Sequence, residues 1–290
     1  MISTMRLLAL ALFISCVFFS CAREKQPVDL VTFPLRGKVV GIDSTAHRVT
    51  VSHEAIPDYM PAMTMPFKIK DLSLLNRIAV GDSIGATLAV SRTESWLETI
   101  QVLRRGENVN AMTPEEIEFK HLYRDGETIP DLKLVNQDGN PLQVSTFRGK
   151  TLVLTFIYTR CPLPDFCIRM SQQFADLQRI LKSDQALNGR WHLLSISFDP
   201  SFDRPAVLRQ YGMNYGADFS VWDFATDPDT AGNALGKFVD GFGLTYAPSE
   251  GLIDHNLRTA VINPEGKLVK VFRGNDWKVE DLVAVVKESA

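Results

Sequence analysis

Two groups of soft ligands stand out in this chain of 290 residues. His53, Met60, Met63 and Met65 fall together in HEAIPDYMPAMTMPF, and Cys161 and Cys167 in YTRCPLPDFCIRM, with His255 far downstream in LIDHN. Thioether, thiolate and imidazole together suit Cu(I), a soft ion held by a few such donors. Hard ions such as Mg²⁺ or Ca²⁺ take carboxylates and carbonyls, which neither group concentrates. One methionine on an inward strand face is ordinary core filler. Three of the chain's eight methionines within six residues, beside a histidine, form a pattern that core filling does not require. The cysteines admit a second reading, because two nearby cysteines in an oxidising compartment pair by default as a structural disulfide.

The elements around these residues must place them. Val49, Val51 and His53 alternate along one expected strand, and Met63, Met65, Phe67 and Ile69 along another, so each set shares a face. If both faces line one barrel, His53 and the methionines meet at its mouth. Five short strand-like runs, LRGKVVGI, HRVTVSH, AMTMPFKIK, SIGATLAV and WLETIQVL, suggest a small closed all-β barrel of the OB type over residues 33–104, with Trp96 in its core. Residues 105–127 read as a charged linker with a brief helix signal at Thr113-Pro114-Glu115-Glu116.

From residue 128 to 290 strands alternate with helices, as in a thioredoxin-like α/β domain. TLVLTFIYT (151–159) and WHLLSISF (191–198) are continuous apolar runs of the buried-strand kind. Met170, Phe174, Leu177 and Leu181 recur at helical spacing. LRTAVIN and KLVKVFRG read as a hairpin, and residues 279–287 as a closing helix. Cys161 falls just past the first buried run, where open α/β sheets carry their sites and where a following helix N-terminus lowers thiol pKa values. Two prolines between the cysteines restrict the loop and favour a preshaped pair. His47, His121 and His192 have no evident partners and read as structural.

Composition, at 45% hydrophobic and 22% charged, is that of an ordinary packed protein, and a net charge of −3 gives no electrostatic footprint for nucleic acid. Residues 1–20 differ: a short basic start precedes the apolar Leu7–Phe19, too short to span a bilayer comfortably but suited to a signal peptide. Cys21 after Ser20 resembles a bacterial lipobox cysteine, which implies a lipidated Cys21, a polar tether over residues 21–32, and a membrane-anchored lipoprotein on the periplasmic side of a bacterial envelope. Cys16 would leave with the signal.

FIYTRCP, Cys167, SISFDPSFDRPAVLRQYG and IDHNLRTAVINPEGKLVKVFRG resemble the Sco/SenC family of copper chaperones across essentially the whole second domain. That resemblance implies copper ligation, as Cu(I) or alternatively Cu(II), by Cys161, Cys167 and His255, with Asp199 as a supporting carboxylate. The family usually spaces its cysteines by three residues; here five intervene. The barrel segment resembles the CusF-type periplasmic copper/silver-binding domain, whose ligands match His53, Met63 and Met65. Met60, with Tyr59 adjacent, stands where that family has a capping Trp, so a third thioether replaces a cation–π cap.

Together these readings imply a metallochaperone delivering Cu(I) to a copper-accepting client, a respiratory oxidase subunit above all. Two alternatives stand beside it. One is a thiol–disulfide reductase using Cys161 and Cys167 on the client's copper-site cysteines; the other is a periplasmic copper/silver resistance protein. A purely catalytic reading leaves the methionines unexplained.

Overall fold

A computed structural model of the chain describes residues 30–106, 121–231, 233–249 and 252–290. The expected signal peptide, Cys21, most of the tether and the helix signal at 113–116 lie outside the described residues.

Five antiparallel-dominated strands, β1 (Val31–Asp43), β2 (Arg48–His53), β3 (Met63–Ile69), β4 (Ser83–Val90) and β5 (Ser95–Arg104), close into a barrel in the order β1-β2-β3-β5-β4. The alternation read from the sequence holds: Val49, Val51 and His53 of β2 and Met63, Met65, Phe67 and Ile69 of β3 are all buried, with intervening residues more open. Two boundaries shift. β1 begins at Val31, inside the expected tether, because Val31 already pairs with Val90. Gly106 N–H and Arg105 both bond the buried Asp82 carboxylate, which ties the start of the expected linker to the barrel. Trp96 is not core. It is partly exposed, with Lys70 Nζ 3.0 Å above its ring.

The second body is a seven-stranded sheet. Its strands are β6 (Lys133–Asn136), β7 (Pro141–Gln143), β8 (Thr151–Ile157), β9 (Trp191–Ser197), β10 (Trp222–Thr226), β13 (Arg258–Ile262) and β14 (Leu268–Arg273), in the order β14-β13-β8-β9-β10-β6-β7. β8, β9 and β10 run parallel and are buried along their whole length, as their continuous apolar character requires. Helix α1 (Arg169–Ser183) buries Met170, Phe174, Leu177 and Leu181 and packs against α4 (Val279–Ser289); α2 (Pro205–Asn214) packs on β10, and α3 (Asn233–Asp240) follows it. The expected hairpin is β13–β14. Residues 121–127 are loop, as expected, but belong to this sheet rather than to a free linker: Tyr123 N–H bonds Gly241 O, and Gly126 N–H bonds Leu268 O. A small separate hairpin, β11 (Tyr246–Ser249) with β12 (Leu252–His255), completes the fold and ends on His255.

The barrel is docked against the sheet by polar contacts. Arg48 donates to Asn275 Oδ1 (2.6 Å) and Asp276 Oδ1 (2.8 Å). Ser95 donates both its N–H and its hydroxyl to Asp165 Oδ2, each at 2.6 Å and buried. Hydrogen bonds to a charged acceptor contribute about 1.5–3 kcal/mol each, so this pair is a substantial clamp.

Candidate metal centres

Four residues after β8 ends at Ile157, and so further from the strand than the sequence suggested, lies Cys161. Its N–H bonds Tyr158 O across a tight turn. The chain then passes through Pro162 and Pro164 into a turn, Pro164–Ile168, kinked at the non-helical Phe166, which carries Cys167 and runs directly into α1. Cys167 Sγ accepts from Tyr158 N–H at 3.5 Å. Both cysteines are free thiols and buried, so the structural-disulfide reading does not describe this state.

His255 reaches the cysteines from the end of β12. Its Nε2 lies 3.6 Å from Cys167 Sγ, and the two sulfurs and an imidazole nitrogen all fall within 4.8 Å of one another. The ring is held on three sides by Tyr158, Phe166 and Phe198, at centroid distances of 5.5, 5.5 and 5.0 Å. Its Nδ1 is 2.8 Å from Asn256 O. A carbonyl can only accept, so Nδ1 carries a proton and Nε2 is left to face the sulfurs, where it donates to a thiolate when protonated and offers its lone pair to a metal when not.

The thiols are unequal. Burial opposes ionisation of Cys161, but hydrogen bonds from Cys167 and His255, with the imidazole's charge, outweigh it and hold this thiol well below the usual range. Burial and the neighbouring Cys161 sulfur push Cys167 well above it. The pair shares a single easily lost proton, and Cys161 is the better donor.

Asp199, expected as a supporting carboxylate, supports indirectly: its Oδ2 accepts from Arg160 Nη2 at 2.6 Å, next to Cys161 in the chain. The carboxylate that fixes the strand exit is Asp203, which sequence reasoning missed. It accepts from Thr159 N–H (2.9 Å), Thr159 Oγ1 (2.5 Å) and Ser197 Oγ (2.5 Å). Burial raises this carboxyl above its ordinary range despite those bonds.

In the barrel, His53 pairs with Met63 and Val51 with Met65 across β2 and β3, so the imidazole and both thioethers share the inner face. His53, Met60, Met63 and Met65 are all buried. Met60 sits on a bridge to Ile56 just before β3, and Tyr59 beside it stacks on Phe33 (4.4 Å) instead of capping the site. His53 Nδ1 lies 2.7 Å from Glu54 O, whereas its buried Nε2 has no hydrogen-bond partner. Burial chiefly lowers the pKa of this ring, which keeps Nε2 an unprotonated donor. An orphaned imidazole nitrogen among buried thioethers fits a soft cation.

Two of the remaining histidines have partners after all. His192 Nε2 lies 2.8 Å from the Asp223 carboxylate, and His121 Nε2 2.7 Å from that of Glu127. They stay structural, as does His47, which occupies a positive-φ turn position.

Comparison with known proteins agrees with this geometry. The family model described as SCO1/SenC matches residues 122–290, and that described as copper binding periplasmic protein CusF matches residues 32–102. A SCO1 protein homolog of Bacillus subtilis is 28% identical over 159 residues, covering 53% of this chain and 79% of the relative. A SCO2-like protein of Rickettsia typhi is 26% identical over 162 residues, covering 52% and 73%. The crystal structure of a SCO1/SenC family lipoprotein from Bacillus anthracis has a TM-score of 0.51 at 26% identity, covering 58% of this chain and 98% of that one. Copper is the metal that both donor sets fit. With more than half its length inside the first match, the chain belongs to the SCO1/SenC family, preceded here by a CusF-like copper-binding segment.

Proposed function

We propose that this protein is an exported, lipid-anchored Cu(I) metallochaperone that supplies a respiratory-oxidase copper centre. The observation that carries the reading is the convergence of Cys161, Cys167 and His255 ligand atoms within 4.8 Å, with His255 Nε2 presented to the sulfurs. Copper is cargo here. Cys161 and Cys167 bind as thiolates and His255 completes a three-donor set; the client's own thiols then take the ion by ligand exchange, with no change in its charge. Residues 33–104, whose strand order with β3 parallel to β5 supports an OB-type reading, form a second cargo site from His53, Met63 and Met65, with Met60 in reserve. Residues 1–20 act as signal and Cys21 as the lipid attachment, which the sequence alone supports. Among the described residues no helix is long and apolar enough to cross a membrane.

One observation favours a second reading. The split between a readily ionised Cys161 and a resistant Cys167 is also what a thiol–disulfide reductase uses for attack. Anaerobic reconstitution of an apo oxidase copper-site fragment separates the two. The chaperone reading expects copper-loaded protein to metallate a fully reduced client. A protein needed only when the client starts as a disulfide, and working equally well copper-free with Cu(I) added separately as its acetonitrile complex, would replace it with the reductase.

A further inference from the structure

Ligands from both donor sets, Met63 and Met65 from one and His255 from the other, line one cavity. A space of about 990 Å³ is lined on the barrel side by Met63 and Met65 and on the sheet side by Tyr158, Phe166, Asp254 and His255. Each site therefore presents at least one of its ligands to a common chamber. The long cysteine loop holds the chamber together. Its Phe166 packs edge-on against His255, while its Asp165, two residues before Cys167, takes both Ser95 bonds from β5. Lys68 of β3 and Arg169 of α1 each place a cation 3.9 Å from Asp165 Oδ1, and Arg169 also reaches Glu94 on the barrel at 3.5 Å. The barrel feels the cysteine site electrostatically as well: burial first, then the charges of Asp165 and Cys161, raise the Tyr59 hydroxyl far above its usual range.

We propose that the barrel is the internal copper donor of this protein, passing Cu(I) from His53, Met63 and Met65 through the shared cavity to Cys161, Cys167 and His255, with Asp165 on the lengthened cysteine loop as the latch that keeps the two sites facing. This rests on the metallochaperone reading above. The direction follows from ligand chemistry, because neutral thioethers yield a soft cation to thiolates. In the exchange the Cu–S(Met) and Cu–N(His53) bonds break as two Cu–S(Cys) bonds and one Cu–N(His255) bond form. Each coordinating thiol gives its proton to water, and copper stays Cu(I) throughout. Because donor and acceptor share one chain, the second event is intramolecular and independent of protein concentration.

The test uses the full reduced chain, supplied anaerobically with one equivalent of Cu(I) as its acetonitrile complex. Stopped-flow ultraviolet absorption follows Cu–thiolate formation, and a chromophoric Cu(I) chelator measures equilibrium affinity. In Met63→Leu/Met65→Leu the cysteine site should keep its equilibrium affinity but fill at least tenfold more slowly. Ser95→Asp sets a carboxylate against Asp165 without touching any ligand, and should slow filling similarly while both sites still bind. Circular dichroism shows whether each variant is folded, and either folded variant suffices. An unchanged filling rate in either folded variant would overturn the relay and leave the metallochaperone intact. A barrel that binds no Cu(I) in Cys161→Ser/Cys167→Ser would remove the donor itself, and the two-site reading with it.

Discussion

His53 and His255, 202 positions apart and on different sheets, are oriented by the same device: each sets Nδ1 against the backbone carbonyl of the residue that follows it, Glu54 at 2.7 Å and Asn256 at 2.8 Å. A carbonyl oxygen accepts only, so both rings carry a proton on Nδ1, which leaves His255 Nε2 facing Cys167 Sγ at 3.6 Å and His53 Nε2 buried with no hydrogen-bond partner. Fixing the tautomer through the outer nitrogen is how ligating histidines are usually prepared.

That preparation makes His255 the residue on which binding and thiol chemistry part company. His255→Ala should lower Cu(I) affinity of the cysteine site by at least about tenfold. Exchange of its dithiol with a small-molecule disulfide should largely survive. Chelator competition and a disulfide-exchange assay on the same preparation measure both. Loss of exchange with affinity intact would argue for the reductase.

The unequal thiols give a pH signature. Cys161 is held below the ordinary thiol range and Cys167 above it. In apo protein, alkylation by iodoacetamide followed by peptide mapping should modify Cys161 first, and should continue at pH values well below 9, where an ordinary thiol is protonated. His255→Ala should move that profile to higher pH by removing one of the groups that stabilise the thiolate. Equal labelling of both cysteines would contradict the split.

Gly37 opposes His53 in the β1–β2 ladder, and a Cβ there would lie 2.6 Å from Ser52 O and 2.8 Å from His53 Cα. Gly37→Ala should therefore destabilise the barrel by about 1–3 kcal/mol and weaken its Cu(I) binding, leaving the cysteine site's affinity unchanged. Thermal unfolding and site-resolved titration check this.

Asp203 holds the strand exit that delivers Cys161. Asp203→Ala strands the Thr159 and Ser197 donors and should cost about 1–3 kcal/mol; the milder Asp203→Asn isolates charge. Burial raises the native carboxyl above 3.8, so the native state binds the proton longer than the unfolded chain does. Its stabilising contribution is therefore present below 3.8 and is lost as pH rises through the native value. Wild-type stability relative to Asp203→Asn should fall over that rise, as urea unfolding at a series of pH values would show.

Period-two alternation made the barrel site legible, because β2 and β3 each bury one face and a register fixed by burial leaves little freedom. The helix through Met170 and Leu181 was legible for the same reason at its own period. What escaped was tertiary. The β11–β12 hairpin that brings in His255 has no strong alternation, and resemblance rather than pattern singled out that residue. Asp203 and Asp165 look like any loop carboxylates until the fold brings Thr159 and Ser197 beside one and Ser95 to the other. Trp96 was misassigned because an aromatic on a barrel strand is usually inward, whereas here it faces outward under Lys70.

The central claim is two soft-metal sites in one chain, and the most direct measurement is an anaerobic Cu(I) titration of the reduced protein against a chromophoric chelator. The account predicts two equivalents for the wild type, and one each for Cys161→Ser/Cys167→Ser and for Met63→Leu/Met65→Leu. Two equivalents retained by the cysteine variant would contradict it.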